Sequence, residues 1–499
     1  MSQQKNRCDN SENQIENFFS DARALSLPEH CLQSANLLAL KNAELLVISH
    51  QCLSLFNIEL NLIKSKQFVE LISGNKSTQT LKSFAYRYSG HQFGHYVSQL
   101  GDGRAVTLGE IKDFQGSLWE FQIKGSGPTP FSRGGDGRAV LRSSIRELLC
   151  SEAMAALNIP TTRALCLVGS LTPVYRETQE TAASIVRLAQ SHLRFGSFEI
   201  LVHQNNIEAL KKLADFCIDN FFFDIDSDSS LKYEAMFVEI VTRTAILMAQ
   251  WQSVGFCHGV MNSDNMSILG LTIDYGPFAF MEEFKQNFIC NHSDHEGRYS
   301  FAAQPSVGFW NLRCLAAAFL PLVNESELQD ALSGYFSVFN AEMLKLGKLK
   351  LGLNKNFEND FQHWTDLLEV LEFCELDFTR FFRSLARWIQ SEFKIWTFDC
   401  GPEINQLNSW LDLYKKRLKM EAQFCFERTV VQMNGVNPKY ILRNAMAEIA
   451  IQRANVGDIS EVNLLLELLS KPFDENLDFE KYAQKSPIWA KNLSISCSS

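Results

Sequence analysis

Three stretches of alternating or extended apolar residues predict β-strands in the first half of the chain. Residues 119–125 (WEFQIKG) alternate apolar and polar side chains, and residues 182–189 (AASIVRLA) form a second extended run. Residues 96–111 (YVSQLGDGRAVTLGEI) place Gly-Asp-Gly between two extended runs, which is typical of a tight turn. The sequence therefore predicts a β-hairpin at 96–111 and further strands at 119–125 and 182–189.

Between two of these predicted strands, the chain takes on the period of an α-helix. Residues 133–159 begin with glycines and then repeat apolar residues every three to four positions. Leu141, Ile145, Leu148 and Leu149 fall on one face of the predicted helix. Glu147 has apolar neighbours in sequence, so we expect its carboxylate to need a cationic partner.

The pattern changes again in the second half of the chain, which is mostly helical beyond about residue 205. The first 80 residues indicate a mixture of helix and loop. We therefore predict an α+β protein with an N-terminal extension (1–82), a strand-rich lobe (83–204) and a mostly helical lobe with a C-terminal tail (205–499).

The composition is that of a folded protein and limits the classes of partner that we expect it to bind. The chain has 499 residues, 46% hydrophobic and 21% charged, with a net charge of −10. That length suits two lobes, and an acidic surface argues against nucleic acid as the main partner because phosphate backbones are bound through Lys and Arg. We therefore expect neither nucleic acid nor a membrane as partner, since no apolar run reaches 18 residues.

The cysteines and the N-terminus indicate a compartment. Thirteen cysteines, an odd number, include no C-x-x-C pair. The first 20 residues are polar and acidic and contain no apolar secretory segment. Both observations favour a reducing environment, so we expect a cytoplasmic protein with mostly free thiols.

Several candidate phosphate-binding residues occur in the strand-rich lobe. GDGRAV occurs twice, at 101–106 and 135–140, and glycines such as Gly101 and Gly103 let backbone N–H groups approach phosphate oxygens. Lys124 ends a strand in the form F-Q-I-K, like the phosphate-binding lysine of kinases, and Glu147 is its natural partner. Taken singly, these features also fit an ordinary hairpin turn and a solvent-facing lysine.

Residues 258–276 (HGVMNSDNMSILGLTIDYG) resemble the metal-binding segment of small-molecule kinases, H-G-D-x-x-x-x-N followed by a strand and D-x-G. Asn265 and Asp274 are oxygen donors that flank a predicted strand, an arrangement suited to Mg²⁺ beside a triphosphate. Val260 stands where the catalytic Asp is expected and cannot accept a proton. The ordered set of glycine turn, strand Lys, helix Glu, Asn and Asp-x-Gly predicts a two-lobed, protein-kinase-like fold.

Two histidine-containing segments are weaker candidates for metal binding. HQFGH (91–95) imitates the zinc-protease pattern H-E-x-x-H, but Gln92 replaces the general base and Gly94 weakens a helix. Residues 290–299 (CNHSDHEGRY) bring a cysteine and two histidines together without a second ligand pair, so a solvated loop is the better interpretation.

The motifs taken together resemble the selenoprotein O family of protein adenylyltransferases, which are pseudokinases by sequence. The resemblance rests on YSGHQFGHYVSQLGDGRA, QIKGSGPTPFSRGGDGRAVLRSSIRE, SHLRFGSFE, HGVMNSDNMSILGLTIDYGPF and NPKYILRN, which span about residues 86–444. It implies that ATP binds in the reverse orientation to that in a kinase and that AMP is transferred to Ser, Thr or Tyr hydroxyls of proteins, with release of pyrophosphate. Some members use UTP with Mn²⁺.

The resemblance also implies a role for individual residues. Asp264 would be the proton acceptor, Asn265 and Asp274 would bind Mg²⁺ or Mn²⁺, and Glu147 would orient Lys124. The nucleotide would be bound by Gly101, Gly103, Arg104, Lys124, Asp136, Gly137, Arg187, Arg194 and Asp274. Arginine suits this task because it stays charged and offers forked donors to phosphate. From the residues alone, Asp264 also fits a loop-capping carboxylate or an indirect metal ligand.

Two further alternatives follow from the same sequence. The family links redox state to activity through a cysteine near the C-terminus, which implies a disulfide between Cys290 and Cys497; two unpaired thiols are the alternative. For the function, the alternatives to AMP transfer are transfer of the γ-phosphate, with Asp264 as an offset base, and a non-catalytic nucleotide-binding scaffold.

Overall fold

The computed structural model describes residues 18–76, 81–395, 404–422 and 424–495. Within these ranges a large antiparallel sheet is followed along the chain by a mostly helical region, which confirms the predicted α+β class. In the same ranges, no helix combines the length and the apolar composition needed to cross a membrane.

The sheet is assembled mainly from the first 190 residues. The strands are β1 (Leu32–Ser34), β2 (Glu44–Ile48), β3 (Phe84–Tyr86), β4 (Gly90–Gln92), β5 (His95–Val97), β6 (Ala105–Lys112), β7 (Leu118–Lys124), β8 (Ala139–Val140), β9 (Arg163–Tyr175), β10 (Gln179–Ala189), β11 (Phe256–Cys257) and β12 (Ala279–Phe280). The main sheet has the order β1-β3-β6-β7-β10-β9-β2, and β8 pairs with β10. Strands β7 and β10 confirm the strands predicted at 119–125 and 182–189.

The predicted hairpin at 96–111 is wrong. β5 pairs with β4 in a separate two-stranded sheet, whereas β6 lies between β3 and β7 in the main sheet. The Gly-Asp-Gly segment instead lies beside the end of β3, since the N–H of Asp102 donates to the carbonyl of Tyr86, the last residue of that strand (2.9 Å). The prediction of a turn at these residues holds. The prediction that the strands before and after the turn pair with each other does not, because each pairs with a different strand.

The N-terminal region differs from the expected mixture of helix and loop. Strands β1 and β2 occupy the two ends of the main sheet, pairing with β3 and β9. Both strands are short, and β2 (ELLVI) lacks a clear alternation, so local pattern gave no strand signal. This region is therefore part of the same sheet as the residues that follow it.

The helices lie on both faces of the sheet and make up most of the described chain that follows it. They are α1 (His50–Leu53), α2 (Leu60–Ile63), α3 (Lys66–Ile72), α4 (Leu141–Ala156), α5 (Phe195–His203), α6 (Ile207–Phe221), α7 (Lys232–Ser253), α8 (Gln304–Phe319), α9 (Glu325–Ser333), α10 (Tyr335–Lys350), α11 (Asp360–Phe373), α12 (Phe378–Gln390), α13 (Ile404–Leu418), α14 (Phe426–Val436), α15 (Asn444–Asn455) and α16 (Ser460–Leu469). Short 3₁₀ turns occur at 23–26, 263–265, 301–303, 477–483 and 488–492. The mostly helical character predicted beyond residue 205 is confirmed.

Helix α4 forms as its periodicity predicts and places an acidic side chain behind the sheet. Its four predicted apolar residues are all buried, and the helix packs against β9 and β10. Glu147 is buried on this helix, with 3% of its surface exposed. The helix therefore carries a carboxylate into the interior, next to the strands that end at the cleft described below.

The strand predicted between Asn265 and Asp274 is absent. This stretch makes only isolated bridges, between Thr161 and Thr272 and between Arg194 and Ser267. A turn at Gly270, which has a φ of 68°, interrupts the extended run. The segment is a buried loop that is held from both sides by residues distant in sequence.

Candidate active site

A cleft of about 530 Å³ lies between the main sheet and the 258–276 loop. Most of the predicted site residues line it: Gly101, Gly103, Arg104, Lys124, Asp136, Gly137, Glu147, Arg187, Asp264, Asn265 and Asp274. Residues from five separate parts of the chain thus converge on one cavity. A second cavity, of about 1000 Å³, runs along β2 and contains none of these residues.

Asp274 is the electrostatic centre of this cleft. Its Oδ1 accepts a hydrogen bond from Arg187 (2.6 Å), and its Oδ2 accepts one from Arg194 (2.6 Å). The Nζ of Lys124 lies 3.3 Å from the same Oδ1. Burial by itself would raise the pKa of Asp274, but these three cations outweigh it and hold the pKa well below its usual range. Arg194 does not line the cleft itself and acts from behind this carboxylate.

Lys124 and Glu147 form the predicted ion pair. The Nζ of Lys124 lies 2.6 Å from Oε2 of Glu147, and both side chains are at least 90% buried. Oε1 of Glu147 also accepts a hydrogen bond from Arg187 (3.1 Å). Burial lowers the pKa of Lys124, while the two neighbouring carboxylates oppose that effect. The helix carboxylate therefore holds both cations toward Asp274.

The alternation of β7 explains why these groups meet. Side chains two residues apart point to the same face of a strand, so Gln122 and Lys124 share a face while Phe121 and Ile123 pack in the core on the other. Arg187 on β10 lies directly opposite Gln122 in the antiparallel pairing. The pairing register of β7 and β10 therefore brings Lys124 and Arg187 together at one end of the cleft.

The two GDGRAV copies have different environments. At Gly101, φ is 129° and an added Cβ would lie 2.6 Å from the Phe131 ring. At Gly137, φ is 63° and an added Cβ would lie 2.1 Å from the carbonyl oxygen of Gly127. Both positions require glycine for close packing of the cleft wall, and both backbones border the cavity.

Asp136 lies in the second copy, where its carboxylate is already paired. Arg176 donates two hydrogen bonds to it, at 2.8 and 2.9 Å, and the N–H of Arg138 donates a third (2.9 Å). The hydrogen bonds from Arg176 are the main reason that the pKa of Asp136 is lowered. Arg138 itself donates to two backbone carbonyls and supports the loop. Contact of Asp136 with a nucleotide stays a prediction.

Asp264 occupies a different environment from Asp274, although both face the cleft. The residue is 6% exposed, and its Oδ2 accepts a hydrogen bond from Nε2 of Gln92 (3.2 Å). Its Oδ1 is buried and has no hydrogen-bond partner within the described residues. Burial raises the pKa of Asp264 to about 7, although Arg194 and the Gln92 hydrogen bond act in the opposite direction. A carboxylate with these properties can exchange a proton near neutral pH.

Asn265 and Asp274 supply oxygen ligands of the kind that Mg²⁺ and Mn²⁺ prefer. The Nδ2 of Asn265 donates to the carbonyl of Val260 (2.9 Å), which leaves its Oδ1 as the available donor atom. In the part of the chain that the structure describes, no group of three His, Cys, Asp or Glu side chains is placed to hold a metal. A site at Asn265 and Asp274 would therefore take its other ligands from water or phosphate.

Sequence reasoning did not select two buried residues that support this site. Gln122 donates to Asp102 (3.0 Å), and its Oε1 accepts hydrogen bonds from the Arg187 guanidinium. Asp102 also lies 3.8 Å from Arg194, and burial raises its pKa. The available signal was the position of Gln122 two residues before Lys124 on an alternating strand.

Cys290 is a buried free thiol in the described structure. Its thiol donates to the carbonyl of Cys257 (3.4 Å), and burial raises its pKa. The proposed partner, Cys497, lies outside the described residues. The last described residues nevertheless run beside this segment, since the N–H of His292 donates to the carbonyl of Ile495 (3.0 Å).

Comparison with known proteins first defines the class, which is that of protein nucleotidyltransferases. The chain is 46% identical to the protein nucleotidyltransferase YdiU of Myxococcus xanthus, over 92% of this chain and 94% of that protein. It is 45% identical to the protein of the same name from Aliivibrio fischeri strain ES114, with the same coverage. The family described as protein adenylyltransferase SelO matches residues 14–470, and the chain belongs to this family.

Proposed function

We propose that the cleft binds ATP and transfers AMP to Ser, Thr or Tyr hydroxyls of other proteins, with release of pyrophosphate. Membership of the adenylyltransferase family supports the reaction class. The single observation that carries the proposal is the environment of Asp264, which borders the same cleft as the cationic cluster and has one buried, unpartnered oxygen.

The cationic end of the cleft suits a triphosphate. Lys124 and Arg187 border the cavity, and Arg194 lies directly behind Asp274. Guanidinium groups bind phosphate oxygens through forked donors. We assign the phosphate contacts to Lys124, Arg187 and Arg104, and to the backbone of Gly101, Gly103 and Gly137, with Asp136 at the rim. Arg194, which does not line the cleft, would act on the nucleotide through Asp274.

Proton transfer is assigned to Asp264 on the family resemblance and on its position in the cleft. Val260 borders the cleft where a kinase carries its base, and its side chain has no acceptor atom. As the acceptor hydroxyl forms a bond to the α-phosphorus, its proton passes to the carboxylate of Asp264. The bond from the α-phosphorus to the bridging oxygen breaks, and pyrophosphate leaves. General-base assistance of this kind contributes roughly 10²–10⁴-fold to rate.

Asn265 and Asp274 fit a divalent cation by donor chemistry, and we assign Mg²⁺ or Mn²⁺ to them. When bound, the metal would neutralise charge on the phosphates. Asp274 also forms ion pairs with Arg187, Arg194 and Lys124, and its side chain stays 21% exposed. The protein thus already balances this carboxylate with its own cations.

We also propose that the sheet and the helical region correspond to the two lobes of a kinase-like fold, divided as predicted at residue 204; the segment before residue 82 adds β1 and β2 to the sheet of the first lobe. The support is the order of the parts along the chain: strand lysine, helix glutamate, then Asn265 and Asp274 on one loop. A cytoplasmic location is proposed on the cysteines, since the ten described ones are free thiols.

The Cys290–Cys497 disulfide is retained as a prediction implied by family resemblance. The contact between His292 and Ile495 supports it, because each residue lies two positions from one of the cysteines. A non-reducing peptide map of the oxidised protein tests the pairing. Recovery of both peptides with free thiols would contradict it.

The decisive test of the reaction uses ATP labelled at either the α- or the γ-phosphorus, with the purified full chain and casein as acceptor. We expect label from the α-position on casein and none from the γ-position. Label from the γ-position would indicate an ordinary phosphotransferase, and label from neither would indicate a non-catalytic scaffold. The Asp264→Ala variant should retain ATP binding by calorimetry while losing most of the transfer.

A further inference from the structure

The HQFGH segment, which imitates a zinc-protease motif, forms the β4–β5 hairpin. In this hairpin Gln92 lies opposite His95, and the two turn residues are Phe93 (φ 49°) and Gly94 (φ 86°). Positive φ at both positions is the geometry of a two-residue turn that matches the strand twist. The segment is therefore a small, well-defined hairpin and does not form a zinc-binding helix.

Three consecutive residues of this hairpin contact the loop that carries Asp264, the proposed proton acceptor. The N–H of His91 donates to Oγ of Ser263 (2.7 Å), and Nε2 of Gln92 donates to Asp264 (3.2 Å). The N–H of Phe93 donates to Oη of Tyr299 (2.9 Å), whose hydroxyl in turn donates to Asn262 (2.6 Å). Three consecutive hairpin residues thus hold the three residues of the 262–264 segment, with Phe93 acting through Tyr299.

Two further contacts fix the hairpin against this loop. A Cβ added at Gly90 would lie 2.8 Å from both Cβ and Oδ1 of Asp264, so the backbone of β4 lies directly against that side chain. On the other face, Nδ1 of His91 lies 2.6 Å from Oε2 of the buried Glu199 on α5. The side of the hairpin that carries His91 is thus anchored to α5, and the side that carries Gln92 holds Asp264.

Among the described residues, Gln92 supplies the one side-chain hydrogen bond to the Asp264 carboxylate. Arg194, the nearby cation, donates to the main-chain carbonyl of Asp264 (2.7 Å) and not to its carboxylate. A neutral amide can orient a carboxylate without the strong stabilisation of negative charge that a guanidinium would bring. The Asp264 carboxylate is therefore oriented by one neutral donor, and the nearby cation is held on its main chain.

We propose that Gln92 is a positioning residue for proton transfer: its amide holds Oδ2 of Asp264 and so fixes the orientation of this carboxylate at the cleft. This inference rests on the proposed role of Asp264 as proton acceptor. Gln92 borders the cleft and its side-chain amide donates to the proposed base, so we expect its contribution in kcat more than in ATP binding.

The test is a double-mutant cycle on the full chain, with α-labelled ATP and casein. The variants are Gln92→Met, which keeps the shape and removes the donor, Asp264→Ala, and the two combined. Gln99→Met is the matched control, since Gln99 is exposed just beyond the hairpin and borders no part of the cleft. Both single Met variants are first compared with the wild type by thermal unfolding.

We expect Gln92→Met to lower kcat about tenfold with KM for ATP changed less than about twofold, and Gln99→Met to change neither. In the Asp264→Ala background, Gln92→Met should cost nothing further, because the group that it positions is gone. An equal loss in both backgrounds, an unchanged kcat, or a loss expressed only in KM would overturn the inference.

The cycle also separates this inference from the proposed function. If the wild type transferred the γ-label, AMP transfer would be refuted, while the same cycle measured on that reaction would still decide whether Gln92 acts through Asp264. Absence of any transfer would refute both, since no proton transfer would remain for Gln92 to support.

Discussion

Arg194 and Asp274 are joined by a 2.6 Å hydrogen bond, and the same guanidinium nitrogen donates to the main-chain carbonyl of Asp264 at 2.7 Å. One buried side chain, 1% exposed, therefore connects the two ends of the 264–274 loop. The guanidinium of Arg194 also stacks on the Tyr88 ring, with its Cζ 4.5 Å from the ring centroid. Arg194 thus fixes the positions of Asp264 and Asp274 relative to each other. Cations surround the Asp274 carboxylate, whereas the Asp264 carboxylate is nearly unpaired.

Removal of the Asp274 carboxylate should affect both activity and stability. Asp274→Ala takes away a proposed metal ligand and leaves Arg187 and Arg194 buried without their shared counter-ion. We expect label transfer to be abolished and the free energy of unfolding to fall by about 3 kcal/mol, measured by chemical denaturation.

Asp136→Ala is the stability control for this experiment. It breaks an Arg–carboxylate pair in which the Asp136 side chain is 45% exposed, so the expected cost is below about 1 kcal/mol. Wild-type turnover by Asp274→Ala would mean that the metal ligand has been misassigned.

The rate should depend on pH through Asp264. Since burial raises its pKa to about 7, the carboxylate is protonated below that pH and cannot accept a proton. We expect kcat/KM to rise as the pH increases through about 7 and then to level off. Asp264→Asn should lower the rate roughly 10²–10⁴-fold and abolish this rise. A wild-type profile that is flat between pH 5.5 and 8 would argue, on the same principle, against Asp264 as the base.

The ion pair between Lys124 and Glu147 should act on nucleotide affinity. Glu147→Gln removes the charge that holds both Lys124 and Arg187 in place. We expect the Kd for ATP, measured by calorimetry, to rise about tenfold because both cations proposed to bind phosphate lose their orientation.

Glu152→Gln on the same helix is the matched control for affinity. Glu152 pairs with Arg163 (2.7 Å), which does not border the cleft. This substitution should lower the melting temperature and leave the Kd for ATP unchanged. Equal effects of the two variants on Kd would show that Glu147 contributes only to folding.

Lys350 predicts a pH dependence of stability that is separate from the active site. It is 5% exposed, its Nζ lies 4.1 Å from the ring centroid of Phe382, and burial lowers its pKa to about 7. The unfolded chain keeps the ordinary value of 10.5, so it binds more protons than the folded protein between these two values. The cost of the buried charge is therefore complete below about pH 7 and disappears as the pH rises toward 10.5.

Lys350→Met should consequently stabilise the protein at pH 6 by about 2 kcal/mol, and less at pH 9. Urea denaturation of the variant and the wild type at both pH values measures the difference. A constant difference at the two pH values would mean that Lys350 stays charged in the folded protein.

Local sequence pattern predicted the elements that carry the site, because their side chains follow a simple period. Lys124 lies at the end of an alternating strand, and Glu147 lies on a helix whose apolar face was visible in the sequence. Both assignments hold in the structure. The pattern failed where pairing depended on distant residues: β5 pairs with β4 and not with β6, and the 266–273 run is held in a loop by single bridges.

The sequence by itself determined which chemical groups are present, in which order and at what spacing, since these are properties of the chain. Only the tertiary structure decided which of them meet. Gln92 reaches Asp264 across 172 positions, and Arg187 reaches Asp274 across 87. The tertiary structure also decided that the Asp274 carboxylate is surrounded by cations and that the Asp264 carboxylate is nearly unpaired. The physical reason is that charge state depends on burial and on neighbours in space, which no local period encodes.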